Sequence, residues 1–133
     1  MNNNKLSTLF CFLFLVLTFS SSCQQPSPYI KLVTPDSLNQ ILQGKHGILL
    51  DVRTPGEFKK GHIPGAVNID FFNDGFTAAL DTLDKNIQYE VYCHSGGRSG
   101  EATELMKNKG FTKLIDLDGG YSKWQSKGFP TVK

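Results

Sequence analysis

Cys93 is followed by four residues and then an arginine, in the run Cys93-His94-Ser95-Gly96-Gly97-Arg98-Ser99-Gly100. A thiolate is a strong nucleophile, and a guanidinium two glycines further on supplies a permanent cation able to hold an anion bidentately. Gly96 and Gly97 let the backbone curl without a Cβ clash, so that N–H groups can converge on one point. The residues after them, Glu101, Ala102, Glu104, Leu105, Met106 and Lys107, favour a helix, whose N-terminus adds positive potential at that point. A cysteine at the end of a strand is often no more than a small buried hydrophobe. The coincidence of thiol, paired glycines, arginine and helix start at fixed spacing points instead to a nucleophilic cysteine acting on an anionic substrate.

Such a site needs a strand to carry the cysteine and a helix to leave from it. Tyr89, Val91 and Tyr92 supply a short β-favouring segment before Cys93, and Gly110 suits the residue after the helix. The rest of the chain alternates in the same way. Ile30–Val33 reads as a strand, and Thr34-Pro35 as the cap and first residue of a helix to about Leu42, ended by Gly44. Ile48–Val52 is an apolar strand interrupted by Asp51, as expected of a parallel strand covered on both faces. Thr54-Pro55-Gly56-Glu57 has capping-box spacing and starts a short helix that Gly61 ends. Ala66–Ile69 is a further strand, Thr77–Leu80 a helix, Asp84–Asn86 a turn, Thr112–Leu117 the last strand, and Gly119-Gly120 opens a helix holding Trp124. Five strands alternating with helices predict one α/β domain with a central, mostly parallel five-stranded sheet and helices on both faces. Sites in such sheets lie at the carboxyl ends of strands, where Asp51, Arg53 and Cys93 can meet.

The loop resembles the C-x-x-G-x-R-S active-site loop of rhodanese-like sulfurtransferases. Two further stretches agree in the family order. Asp51-Val52-Arg53 with Glu57-Phe58 and Gly61-His62-Ile63-Pro64-Gly65-Ala66 resembles the first family signature, and Gly119-Gly120-Tyr121 with Trp124, Gly128, Phe129 and Pro130 the C-terminal one. The resemblance covers the chain from about Tyr29 to its end. It implies that Cys93 takes the outer sulfur of a small sulfur-containing anion such as thiosulfate, holds it as a persulfide and passes it to a thiol, a protein acceptor or cyanide, with no cofactor. It implies a supporting loop of His94, Ser95, Gly96, Gly97, Arg98 and Ser99. Arg98 either binds the donor's sulfonate or braces the loop against an acid, with Asp51 as the candidate partner, and Arg53 has the same two readings. His94 reads as a rim residue rather than a general base, His62 as ordering a turn, and Tyr121 and Trp124 as core. No spacing of His, Cys and acidic residues fits a metal site.

Two other functions use the same features. Cysteine phosphatases and arsenate reductases also set Cys and Arg around an anion, with one residue more in the loop; the shorter loop here leaves less room for a tetrahedral group. Rhodanese-like domains also serve as binding or regulatory modules, usually without the cysteine, and a thiol-redox partner is a related alternative.

The 14 Lys+Arg against 12 Asp+Glu give a formal net charge of +2, which argues against nucleic acid as a partner. Residues 1–22 have one charged residue, Lys5, followed by an apolar run from Leu6 to Phe19 that is short for a membrane span and fits a signal peptide. Ser22-Cys23 resembles a bacterial lipoprotein cleavage site, with Ser20 where that pattern has an apolar residue. The expectation is a signal peptide over 1–22, a lipidated Cys23, a tether over 23–28 and a domain over 29–133, on the periplasmic side of a bacterial envelope and monomeric. An ordinary signal peptide releasing a soluble periplasmic protein is the alternative. Of the three cysteines, Cys11 and Cys23 fall in the leader and at the anchor, so Cys93 is the one thiol of the expected mature domain.

Overall fold

The computed structural model describes residues 29–44 and 47–133. The expected signal peptide, the tether and Cys23 lie outside the described residues. The elements run β1 (Tyr29–Val33), α1 (Pro35–Gln43), β2 (Ile48–Asp51), α2 (Pro55–Lys60), β3 (Val67–Asn68), α3 (Phe76–Asp81), β4 (Gln88–Tyr92), α4 (Gly97–Asn108), β5 (Lys113–Leu117) and α5 (Gly120–Ser126). The five strands form one sheet in the order β1-β5-β4-β2-β3, and every pairing is parallel. Strand β4 lies at the centre and is buried over its last four residues. The expected strand Ala66–Ile69 contracts to the two residues of β3, an edge strand paired only through Leu50–Val67 and Asp51–Asn68.

The helix starts follow from their caps. The Thr34 hydroxyl accepts from Ser37 N–H ahead of Pro35. In α2 the capping box is complete, Thr54 Oγ1 accepting from Glu57 N–H and Glu57 Oε2 accepting from Thr54 N–H at 2.9 Å. Alternation along β4 sends Tyr89, Val91 and Cys93 to one face and Glu90 and Tyr92 to the other. The first face packs with Leu50, Phe76, Leu80, Ala102 and Met106 beneath α3 and α4. The second packs with Leu38, Leu49, Ile63 and Trp124 beneath α1 and α5. Burying a side chain such as Leu50, Val91 or Met106 contributes about 1.5–3 kcal/mol, and these surround the strand that ends at Cys93. The C-terminal segment is tied back by reciprocal backbone hydrogen bonds between His62 and Val132. The His62 ring stacks on Phe58 with Nδ1 3.1 Å from the Phe58 carbonyl, which agrees with its reading as a turn-ordering residue.

Candidate active site

Strand β4 delivers Cys93 to the carboxyl end of the sheet, and the chain turns at Gly96 directly into α4. Gly96 has φ +108°, a left-handed value that L side chains rarely adopt. In that conformation its N–H donates to Cys93 Sγ at 3.0 Å. Cys93 is 1 % exposed, so the sulfur sits beneath its loop with a backbone donor aimed at it. His94, Ser95 and Gly97 are exposed on the rim, and Ser99 is buried under the loop with its hydroxyl donating to the Gly96 carbonyl at 3.2 Å.

The start of α5 holds the loop from the other side. Tyr121 N–H donates to the Cys93 carbonyl at 2.8 Å and Ser122 N–H to that of His94 at 2.9 Å. A Cβ on Gly120 would lie 2.6 Å from the Cys93 carbonyl oxygen, so only glycine allows α5 this close. Gly120 therefore belongs to the loop's support as well as to the turn it helps form.

Two arginines flank the sulfur loop and have different partners. Arg53 stays within its own turn. Its backbone N–H, Nε and Nη2 all donate to the Asp51 carboxylate, at 2.6–3.0 Å, and Nη2 also donates to the Gly61 carbonyl. Its guanidinium lies 4.0 Å from the centre of the Tyr121 ring. Arg98 reaches across to α2 and forms a two-pronged pair with Glu57, both contacts 2.8 Å. The expected alternative of an Arg98–Asp51 pair is thus corrected: Asp51 is fully occupied by Arg53, and the acid that braces the loop is Glu57. The Arg98 guanidinium holds the Glu57 carboxyl at about 2, well below the usual range. Phe72, 66 % exposed, lies under the Arg98 guanidinium at 5.3 Å.

Beside the loop opens a cavity of about 270 Å³, lined by Arg53, Glu57, Lys60, His94, Tyr121 and Gln125. Lys60 and His94 bring exposed side chains to it that are not tied into the two ion pairs. A larger depression of about 360 Å³ lies at the opposite end of the sheet, against Gln40, Gln88 and Lys113. Its lining includes no cysteine, and it lies away from the carboxyl ends of the strands where Cys93 sits. Sequence reasoning singled out Cys93 and its loop, which the structure sets at the carboxyl end of β4, but not Glu57 as the brace or Lys60 and Gln125 as lining. Glu57 was legible only as the third residue of a capping box, a role it also keeps.

Residues 34–127 match the profile of the Rhodanese-like domain. The chain belongs to the rhodanese-like family. It is similar to the chloroplastic thiosulfate sulfurtransferase 16 of Arabidopsis thaliana, 41 % identical over 92 residues that cover 62 % of this chain and 77 % of that one. A sulfurtransferase of Allochromatium vinosum is 31 % identical over 101 residues, covering 75 % of this chain and 92 % of its own. Among solved structures, a rhodanese-related protein of Thermoplasma volcanium superposes with a TM-score of 0.68 at 27 % identity, over 77 % of this chain and 97 % of that one. A human single-domain sulfurtransferase gives 0.66 at 26 %, over 72 % and 96 %. The rhodanese-like fold of the chain, a five-stranded parallel sheet with helices, is the one its alternation of elements predicts.

Proposed function

We propose that this rhodanese-like protein is a sulfurtransferase that carries sulfane sulfur on Cys93. The observation that supports it most directly is the Gly96 N–H donating to Cys93 Sγ at 3.0 Å at the head of α4. In the first step the Cys93 thiolate attacks the outer sulfur of thiosulfate. The donor's S–S bond breaks with its electron pair leaving on sulfite, and Cys93 keeps a persulfide. In the second step an acceptor thiolate or cyanide attacks the terminal sulfur, and the Cys93 thiolate leaves. Dividing one transfer into two displacements is the gain of covalent catalysis. The loop amides serve the anionic terminal sulfur as an oxyanion hole serves oxygen. Since Arg98 is engaged with Glu57, its role is to brace the loop. The donor's sulfonate meets Lys60 and His94 at the cavity instead. The mature protein is held at the cell envelope, on the periplasmic side, through an acylated Cys23.

The test is the thiosulfate-to-cyanide transfer rate. Wild type turns over, Cys93→Ser is inactive with its circular dichroism unchanged, and activity surviving in Cys93→Ser removes that residue from the reaction. Inserting one glycine between Gly96 and Gly97 moves the donor off the sulfur, and losing one such donor costs on the order of a hundredfold in rate. Robust hydrolysis of an aryl phosphate by the wild type, without thiosulfate turnover, would favour the phosphatase alternative. For the anchor, Cys23→Ala releases the protein from membranes or blocks its processing. A soluble wild-type chain beginning elsewhere rejects acylation.

A further inference from the structure

Phe72 is largely exposed, and its ring lies under the guanidinium of Arg98, at the start of the helix that leaves the sulfur loop. A single exposed aromatic needs no explanation, but this one is held in place. Its N–H donates to Asp70 Oδ1 at 3.0 Å. Its ring meets Phe71 edge-on, and Phe71 meets the buried Phe76 edge-on. A second turn follows, in which Asn73 Oδ1 accepts from Gly75 N–H at 2.8 Å, and the chain enters α3. An aromatic fixed in this way loses little freedom on meeting a partner, as an interface anchor requires.

In the same segment a recess of about 240 Å³ opens between the start of α2 and α3. Pro55, Ile69, Phe76 and Ala79 give it apolar walls, and Asp70 and Asn73 add polar groups to its lining. Neither Asp70 nor the exposed Asp74 makes an ion pair among the described residues. Apolar walls with a carboxylate among them suit a lysine or arginine side chain, whose stem lies on the walls while its head meets the acid. The cavity of about 270 Å³ has the opposite character, since Arg53, Lys60 and His94 bring basic groups to it. Helix α2 borders both, Pro55 lining the first and Glu57 and Lys60 the second. The first is closed by α3 and the second by α5, which cover opposite faces of the sheet.

We propose that the acceptor is a protein thiol flanked by lysine or arginine, and that it docks on the Phe72 side of the loop. Phe72 is its anchor, and Asp70 and Asp74 are its charge complement. The proposal rests on Cys93 carrying sulfane sulfur. The acceptor thiolate attacks the terminal sulfur of the Cys93 persulfide and forms a new S–S bond. The bond from that sulfur to Cys93 Sγ breaks, and its electron pair stays on Cys93 as the thiolate. Basic neighbours also lower the acceptor thiol's own pKa, so the side chains that dock it keep it nucleophilic. The two reactants thus approach from sides of opposite charge, the small anionic donor over Lys60 and His94 and the basic protein over Asp70 and Asp74.

The test uses the full chain loaded with thiosulfate and two short peptides, each with one cysteine, flanked by lysines in one and by glutamates in the other. The rate at which each peptide gains one sulfur is read by mass spectrometry, with transfer to cyanide as the reference. Wild type should prefer the lysine peptide by about tenfold, and the preference should shrink between about 0.05 M and 0.5 M salt. In the double variant Asp70→Asn, Asp74→Asn the preference should fall about fivefold with transfer to cyanide unchanged. An asparagine at 70 can still accept from the Phe72 N–H. Phe72→Ala should slow both peptides about tenfold relative to its own cyanide rate. Should a variant fail to fold, the salt dependence of the wild type decides alone. Equal rates for the two peptides, a preference for the glutamate peptide, or a preference unchanged in the double variant overturns the docking surface while cyanide turnover leaves sulfur transfer standing. A chain that passes sulfur to neither cyanide nor peptide overturns the sulfurtransferase reading and this proposal with it.

Discussion

The two arginine–carboxylate pairs beside Cys93 look alike on paper and differ in what they join. Arg53 and Asp51 are two residues apart, with side chains 3 % and 0 % exposed, and they lock one turn at the end of β2. Arg98 and Glu57 are 41 residues apart, 18 % and 32 % exposed, and they tie the sulfur loop to α2. A buried pair gains little over an apolar substitute, because desolvation offsets attraction, yet leaving one partner alone inside is severe. A partly exposed pair contributes little to stability but can fix geometry. The buried pair therefore belongs to the fold and forms one wall of the cavity. The more exposed pair, under the proposed function, serves sulfur transfer by bracing the loop.

That division can be broken most sharply at Arg53. Arg53→Ala strands the Asp51 carboxylate at 0 % exposure and should cost about 3–5 kcal/mol in urea unfolding. A loss below about 1 kcal/mol would place the pair with ordinary surface bridges. Arg98→Ala should behave in the opposite way, losing about 1 kcal/mol or less of stability while sulfur transfer falls about ten- to a hundredfold as the loop donors lose their aim. Arg98→Lys should not restore the rate, since an ammonium cannot reproduce the two-pronged contact. If unfolding and activity fall together in both variants, the comparison fails.

The smallest effect is in acid. Glu57 titrates at about 2 in the folded protein because of Arg98, below its ordinary value of 4.5. A depressed carboxylate contributes stability that is fully present above the unfolded value and is lost as pH falls through the folded one. The stability difference between wild type and Glu57→Gln should therefore be constant above about pH 5 and shrink between pH 4.5 and 2. A difference independent of pH would mean that Glu57 acts through its capping hydrogen bonds alone.

What could be read from the sequence follows the range of each interaction. Thr34-Pro35 and Thr54–Glu57 marked helix starts because caps are local. The alternation of strands with helices gave the strand count and parallel sense, and the paired glycines marked the loop. Strand order was not legible, because it depends on how each crossover packs, and β1 enters beside β5 at the far edge. The Glu57–Arg98 brace was hidden for the same reason: it exists only because β2 and β4 are neighbours.

The central claim is that Cys93 holds sulfur in transit, and intact-protein mass spectrometry after thiosulfate treatment tests it most directly. The account predicts a gain of one sulfur atom that maps to Cys93, disappears on adding cyanide with release of thiocyanate, and is absent from Cys93→Ser. A wild type that gains no sulfur from thiosulfate or any other sulfane donor, or that gains it equally in Cys93→Ser, would contradict the account.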